Sequence, residues 1–295
     1  MDIRFLESLI AVSELGSIVA TARAQGLTPA AVSQRIQVLE RDLGLRLLDR
    51  QANAALPTPA CRDLLPAMRQ LVTQARALEQ AAKPSEAAGP LKLGAISTVL
   101  TALLPDILEH MPKRAPKVEL RITPGSSAQL YEALLAGDLD AALLVEPPFD
   151  LPDSLEAQVL RREPLCLLAP PACREKALAR IFEDLPLLAY DPQSWGGAIA
   201  QRYLRDHGLK PVVLCELDAL EAISALVARR AGAALVPDWP ELQGASPLPD
   251  GAQYGRTVSL VTPRTSPRAA NLQALRDVIE GCRRAGCTFL SGAPR

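Results

Sequence analysis

Ala30, Gln34, Gln37 and Arg41 recur at helical intervals with Ser33 beside them, so one edge of a helix would carry amides, a hydroxyl and a guanidinium. A Gln amide can pair with adenine N6 and N7, a Ser hydroxyl can pair with any base, and Ala lets a backbone approach closely. The set suits the major groove of DNA. A buried face would not hold these side chains in line, and a merely solvated face would carry Glu and Lys instead. Val32, Ile36, Leu39 and Leu43 form an apolar stripe on the opposite side. The sequence therefore predicts an amphipathic helix over 29–43 with its amide edge outward.

Its neighbours must aim that edge. Thr28 is a good N-cap, and Pro29 at the first helical position loses no hydrogen bond. Gly26-Leu27-Thr28 supplies a turn, and Ser17 can cap a preceding helix over 18–25. A first helix over 3–15, with Phe5, Leu6, Leu9, Val12 and Leu15 on one face, should pack beneath both. Helix, short turn and capped second helix make the helix-turn-helix plan. Gln34 is the candidate base reader. Pro29, Ala30 and Ser33 would give apolar or hydroxyl contacts, and Arg35 and Arg50 would hold phosphates. Gln37, Ser17 and Thr28 complete the expected DNA-binding set.

The run GSIVATARAQGLTPAAVSQRIQVLERDLGLRLLDR, Gly16 to Arg50, resembles the N-terminal domain of LysR-type transcriptional regulators. Gly16, Ser17, Ala22, Ala31, Val32, Ser33, Ile36, Leu39, Glu40, Leu43, Gly44, Leu47, Leu48 and Arg50 fit that family's pattern. Thr21 departs from its paired alanines, Gln25 stands at a usual core leucine, and Cys61 replaces a glycine. The resemblance implies a winged helix-turn-helix over 1–58, with wing strands over 45–50 and 52–56 and a turn near Asn53. It also implies a linker helix that pairs two subunits.

The 295 residues, 48% of them hydrophobic, allow two or three domains, and the net charge is −1. Residues 1–60 balance acidic against basic groups. Phosphate neutralisation supplies most non-specific affinity, so a single copy should bind DNA poorly and two or more should act together. No apolar run of transmembrane length and no signal peptide are present, so a cytoplasmic protein with no membrane partner is expected. The cysteines at 61, 166, 173, 215, 282 and 287 read as reduced thiols. A redox switch through Cys166 with Cys173, or Cys282 with Cys287, is the alternative. The chain has no H-E-x-x-H, P-loop, G-x-S-x-G or G-x-G-x-x-G, and its only histidines are His110 and His207. No catalytic residues, metal or cofactor are therefore expected.

Cys61, Leu64, Met68, Leu71, Ala75, Leu78 and Ala82 follow a/d spacing over 59–83, the pattern of a dimer seam, with Pro66 inside it. Residues 84–90 read as a hinge. Beyond them, β-branched or leucine-rich runs at 91–96, 118–122, 141–145, 164–169, 187–190, 212–217, 233–236 and 257–261 alternate with helices at 97–110, 127–136, 197–206, 218–230 and 267–285. The fold class expected is α/β overall with a mainly parallel sheet, behind an all-α winged N-terminus. By the resemblance, 91–295 is a two-lobed effector domain like periplasmic binding proteins, with one lobe over 91–162 plus 264–295 and the other over 163–263.

Ligands of such sheets bind at strand carboxyl ends. Ser97, Thr98, Ser126, Ser127 and Glu146 stand at such ends in the first lobe. Tyr190, Asp191, Trp195, Asp218, Pro237 and Asp238 do so in the second. Hydroxyls and amides at helix starts favour a carboxylate, and the acidic groups would suit an ammonium. The expected function is a sequence-specific regulator controlled by a small carboxylate or amino acid, acting on promoter DNA as a homodimer or dimer of dimers. RNA polymerase is admitted as a further partner. The alternatives are a thiol-based redox sensor of the same fold and a small-molecule carrier.

Overall fold

The structure, a computed structural model, describes residues 2–51, 54–81, 86–173, 176–287 and 289–290, without the side chains of 50, 51, 54, 77 and 79–81. The chain divides into two compact units, one mostly from residues 1–86 and one mostly from residues 87–295.

In the first unit, α1 (Ile3–Leu15), α2 (Ile18–Gln25) and α3 (Pro29–Leu43) each open on a side-chain cap. Asp2, Ser17 and Thr28 accept from the amides of Arg4, Ala20 and Ala31. Gly16, Gly26 and Gly44 end the three helices at φ of 66°, 63° and 69°, a region where a Cβ is strained. Leu6, Leu9, Val12, Val32, Ile36 and Leu39 make the core. Gln25 fits beside it because its polar atoms are partnered: Ser8 Oγ donates to its Oε1 at 2.8 Å, and its Nε2 donates to the Glu7 carbonyl at 3.3 Å.

The wing is β1 (Leu48–Gln51) paired antiparallel with β2 (Ala54–Pro57). It starts later than the predicted 45 because residues 44–47 still serve α3. The Leu45 amide donates to the Glu40 carbonyl, and the Glu40 carboxylate accepts the Leu47 amide at 2.8 Å. The turn expected near Asn53 lies outside the described residues.

α4 (Pro59–Ala81) follows, capped by Thr58, whose hydroxyl accepts the Cys61 amide at 3.1 Å. The expected seam divides. Cys61 and Met68 are buried in the winged-helix core together with Val72, and Leu64 packs partly against it. Leu71 and Leu78 remain exposed, at 41% and 75%, with Ala75 half-buried. The a/d pattern thus merged two surfaces: the first turns face α1, and only Leu71, Ala75 and Leu78 stay open to a partner. Arg69 and Arg76 bind Glu14 and Glu7 of α1 at 3.0 and 2.7 Å and hold α4 along it. Ala82 lies outside the described residues.

The second unit runs β3 (Gly89–Ala95), α5 (Ser97–Ala102), α6 (Leu104–Arg114), β4 (Val118–Pro124), α7 (Ser127–Ala136), β5 (Ala141–Val145) and β6 (Leu155–Glu163). It continues with β7 (Leu165–Leu168), α8 (Leu178–Asp184), β8 (Leu187–Tyr190), α9 (Trp195–Asp206), β9 (Val213–Leu217) and α10 (Leu220–Ala228). It closes with β10 (Ala234–Pro237), β11 (Ala245–Pro247), β12 (Arg256–Pro263) and α11 (Ala269–Arg284). One sheet is five-stranded in the order β4-β3-β5-β12-β6, another has the order β10-β7-β11, and β8 pairs β9.

Several expectations change here. The sheets are mixed rather than mainly parallel, since β12 runs antiparallel to β5 and β6, and β7 antiparallel to β10 and β11. β12 lies in the first lobe's sheet, so the chain recrosses before residue 256, earlier than the expected boundary at 263. β6 is an addition to the expected strands, because its charged residues hide the alternation of a strand. The predicted helix over 97–110 is two, broken at Leu103 ahead of Pro105 in the first turn of α6. Gly89 and Pro90, assigned to the hinge, open β3 in register with Val118 and Glu119.

Candidate functional site

α3 presents the expected edge. Val32, Ile36 and Leu39 are buried, whereas Pro29, Ala30, Gln34, Gln37 and Arg41 are exposed and Ser33 is half-buried. Thr28 and Ser17 spend their hydroxyl oxygens on helix caps, Ala31 N at 3.2 Å and Ala20 N at 3.3 Å. Arg35 turns back on α1, donating to Ser8 Oγ at 3.0 Å with its guanidinium 5.9 Å from the Phe5 ring centre. It is thereby drawn away from the phosphate role expected of it. The side chain of Arg50 lies outside those described, although its backbone pairs with Ala55 in the wing.

In the second unit, the carboxyl ends of β3, β4, β5, β8 and β9 and the first residue of β12 surround a cavity of about 200 Å³. Ser97, Thr98, Ser126, Ser127, Tyr190, Trp195 and Asp218 line it, as the sequence leads one to expect. Their roles differ. The Ser127 hydroxyl oxygen is spent on the Val145 amide, which it accepts at 3.1 Å. Ser126 and Gln129 cap α7 reciprocally. Ser97 is exposed and caps no helix, because Ile96 holds the cap position of α5.

Four expected residues are not among the cavity's lining. Glu146 is drawn aside by Ser259, whose hydroxyl donates to it at 2.6 Å. Asp191 shapes the turn into α9, accepting the Gln193 amide at 2.9 Å. Pro237 is buried in register with Leu165. Asp238 likewise stays in the backbone network, its amide donating to the Pro164 carbonyl at 2.8 Å.

The residue that sequence reasoning missed is Arg256. It is 4% exposed and reaches the cavity from the start of β12. Its Nε donates to the fully buried Glu163 at 2.7 Å, Nη2 to Thr98 Oγ1 at 3.0 Å, and Nη1 to the Tyr190 hydroxyl at 3.3 Å. Burial works against its charge, but Glu163 and Tyr190 outweigh this and raise its pKa above the ordinary arginine value. Arg161 backs Glu163 at 3.5 Å from the other side. Burial raises the Tyr190 hydroxyl pKa, and burial together with Asp191 raises that of the Asp218 carboxyl.

Close packing fixes this arrangement. The Ser194 hydroxyl caps α9 on the Gly197 amide at 3.0 Å. A Cβ on Gly196 would lie 2.6 Å from the Tyr190 ring, and one on Gly197 would lie 1.9 Å from the Asp191 carbonyl oxygen. Only glycines let the helix start sit on the end of β8. Beside the cavity, Trp195 meets Tyr131 and Phe149 edge-on, each at 5.7 Å between ring centres.

Among the described residues, no cysteine lines the cavity, and the six thiols are free. The Cys166 thiol donates to the Val236 carbonyl at 3.1 Å and its pKa is pushed far up by burial. Among the described residues, no group of His, Cys, Asp or Glu could hold a metal, and no helix is long and apolar enough to cross a membrane.

Comparison with known proteins agrees with both halves. Residues 3–62 match the bacterial regulatory helix-turn-helix protein, lysR family, and residues 84–283 match the LysR substrate binding domain. HTH-type transcriptional regulator CzcR of Bacillus cereus is 30% identical over 239 residues, 80% of each chain. HTH-type transcriptional regulator GltR of Bacillus subtilis is 27% identical over 241 residues, again 80% of each. Among solved structures, a full-length OxyR variant from Pseudomonas aeruginosa superposes with a TM-score of 0.73 at 21% identity, covering 95% of both chains. An outward amide edge on a capped helix, a unit of three sheets around a polar cavity and these matches lead to one conclusion: the chain belongs to the LysR family of transcriptional regulators, with a helix-turn-helix DNA-binding domain and an effector-binding domain.

Proposed function

We propose that this regulator reads promoter DNA through Gln34, with Pro29, Ala30, Ser33 and Gln37 completing the contact face of α3. The observation that carries this is the division of α3: its apolar stripe is buried while its amide edge is exposed. The protein works as a homodimer or a dimer of dimers through Leu71, Ala75 and Leu78. Two recognition helices then reach half-sites spaced by turns of the duplex. A small effector bearing a carboxylate occupies the cavity, and by binding two arrangements with different affinity it shifts the regulator between them. The protein catalyses no reaction, acts in the cytoplasm, and passes its signal on to RNA polymerase.

Footprinting of the full-length protein on its own upstream region tests the proposal. The expected result is protection of two half-sites related by a twofold axis, with an extent that changes when effector is added. Equal affinity for random duplex at moderate salt would overturn it.

A further inference from the structure

Resting on the effector-control reading above, we infer that the effector is a small zwitterion with a short aliphatic body, its carboxylate held by Arg256 and its ammonium by Asp218. A bare organic acid is the alternative this excludes.

The carboxylate end follows from Arg256. A guanidinium has five N–H donors, and Glu163, Thr98 and Tyr190 take three of them. The remaining two belong to a side chain that lines the cavity, and a planar pair of such donors matches the two oxygens of a carboxylate. Thr98 and Tyr190 add to this. Both hydroxyl oxygens accept from Arg256, so each keeps its own hydrogen to donate to a ligand oxygen.

The ammonium end follows from the charge balance. Among the described residues, Arg256 and Asp218 are the charged ones that line the cavity. Behind them Glu163, fully buried, lies between Arg256 at 2.7 Å and Arg161 at 3.5 Å. Two positive groups thus face these two negative ones, and Asp191 adds a further negative charge beside Asp218, so the site by itself has no positive charge to spare. A bare carboxylate would bring an uncompensated negative charge up to Asp218, and placing an unpaired charge in a low-dielectric cavity is costly. A zwitterion adds no net charge and gives Asp218, which stands exposed at the rim, a cation to bind.

Size and lining narrow the class. About 200 Å³ is below the usual ~300–1,000 Å³ of sites for drug-sized ligands. Ile96, Leu100, Val145 and Leu220 contribute apolar wall, which suits a short aliphatic body.

The test is calorimetric titration of the full-length protein with matched pairs: alanine and propionate, valine and 3-methylbutanoate, leucine and 4-methylpentanoate. At least one amino acid should bind, and its deaminated partner should bind about tenfold more weakly or worse. Asp218→Asn should weaken the amino acid by about tenfold and leave or improve binding of the partner acid. Thr98→Val should weaken both members of the pair. Equal binding of both members, failure of every pair to bind, or Asp218→Asn without effect on the amino acid would each overturn the inference. Footprinting of the same preparations keeps the two readings apart. A half-site footprint that shifts with an organic acid and not with its amino acid leaves effector control standing and removes the zwitterion.

Discussion

Ser8 on α1 donates its hydroxyl to Gln25 Oε1 on α2 at 2.8 Å, and its oxygen accepts from Arg35 Nη1 on α3 at 3.0 Å. One buried hydroxyl therefore ties together the three helices that aim the DNA-reading edge. Gln25→Ala should destabilise the first unit by about 1–3 kcal/mol, because it leaves buried polar groups without partners. Gln25→Leu combined with Ser8→Ala should recover most of that loss. Urea midpoints at constant slope check both.

Gln34→Ala should reduce discrimination at one base pair by about 1–3 kcal/mol and leave the others unchanged. Gel-shift competition across single-base operator variants measures it. An equal loss on every sequence would mean that Gln34 is not reading a base.

On α4 the proposed assembly residues are exposed and the folding residues are buried, so the two roles can be tested apart. Leu78→Asp should convert the assembly to monomer without shifting the unfolding midpoint of the first unit, since Leu78 is 75% exposed. Met68→Ala, in the core at 5% exposure, should instead cost about 2–5 kcal/mol of stability. Sedimentation velocity and denaturation together distinguish the two.

Glu156 on β6 is an acid-sensitive tie. A hydrogen bond from Arg276 of α11 lowers its pKa below the ordinary 4.5, with a smaller contribution from Thr262. A carboxylate whose folded pKa is depressed stabilises the fold above the unfolded value of about 4.5 and ceases to do so as pH falls through the folded value. Wild type should therefore be more stable than Glu156→Gln at neutral pH, and the difference should disappear on acidification below about 4.5. Midpoints measured across that range test the sign.

The Cys282 and Cys287 thiols should be slow to react. Burial, with Asp106 and Cys282 beside it, raises the Cys287 thiol to about 12, and burial raises the Cys282 thiol. A protonated thiol is a poor nucleophile. Ellman's reagent at neutral pH should modify Cys282 and Cys287 far more slowly in the native protein than in urea. Rapid native labelling, with a footprint that responds to peroxide, would favour the thiol-sensor alternative.

What could be read from residues alone followed local physics. Thr28, Pro29 and the stripe Val32, Ile36, Leu39 specify α3 within a single stretch of chain, and the caps Ser17 and Thr28 act where their spacing placed them. The cavity was partly legible because Ser97, Thr98, Tyr190 and Trp195 mark strand ends. Arg256 was not legible. It stands at the start of a strand rather than the end, and only the antiparallel pairing of β12 with β6 brings Glu163 opposite it. β6, LEAQVLRRE, shows little apolar run because its charged residues are spent on partners far away in sequence. Long-range pairing of this kind leaves no periodic trace in either segment. The seam on α4 was read too broadly for a related reason, since heptad spacing records that a face is apolar and says nothing of which neighbour covers it.

α4 is continuous from the floor of the winged domain to its exposed leucines, and Arg69 and Arg76 clamp it to α1 along the way. A stiff rod gripped over half its length behaves as a tiller. If two copies pair through Leu71, Ala75 and Leu78 as proposed, a change in how the two rods cross would turn both reading heads on the duplex together.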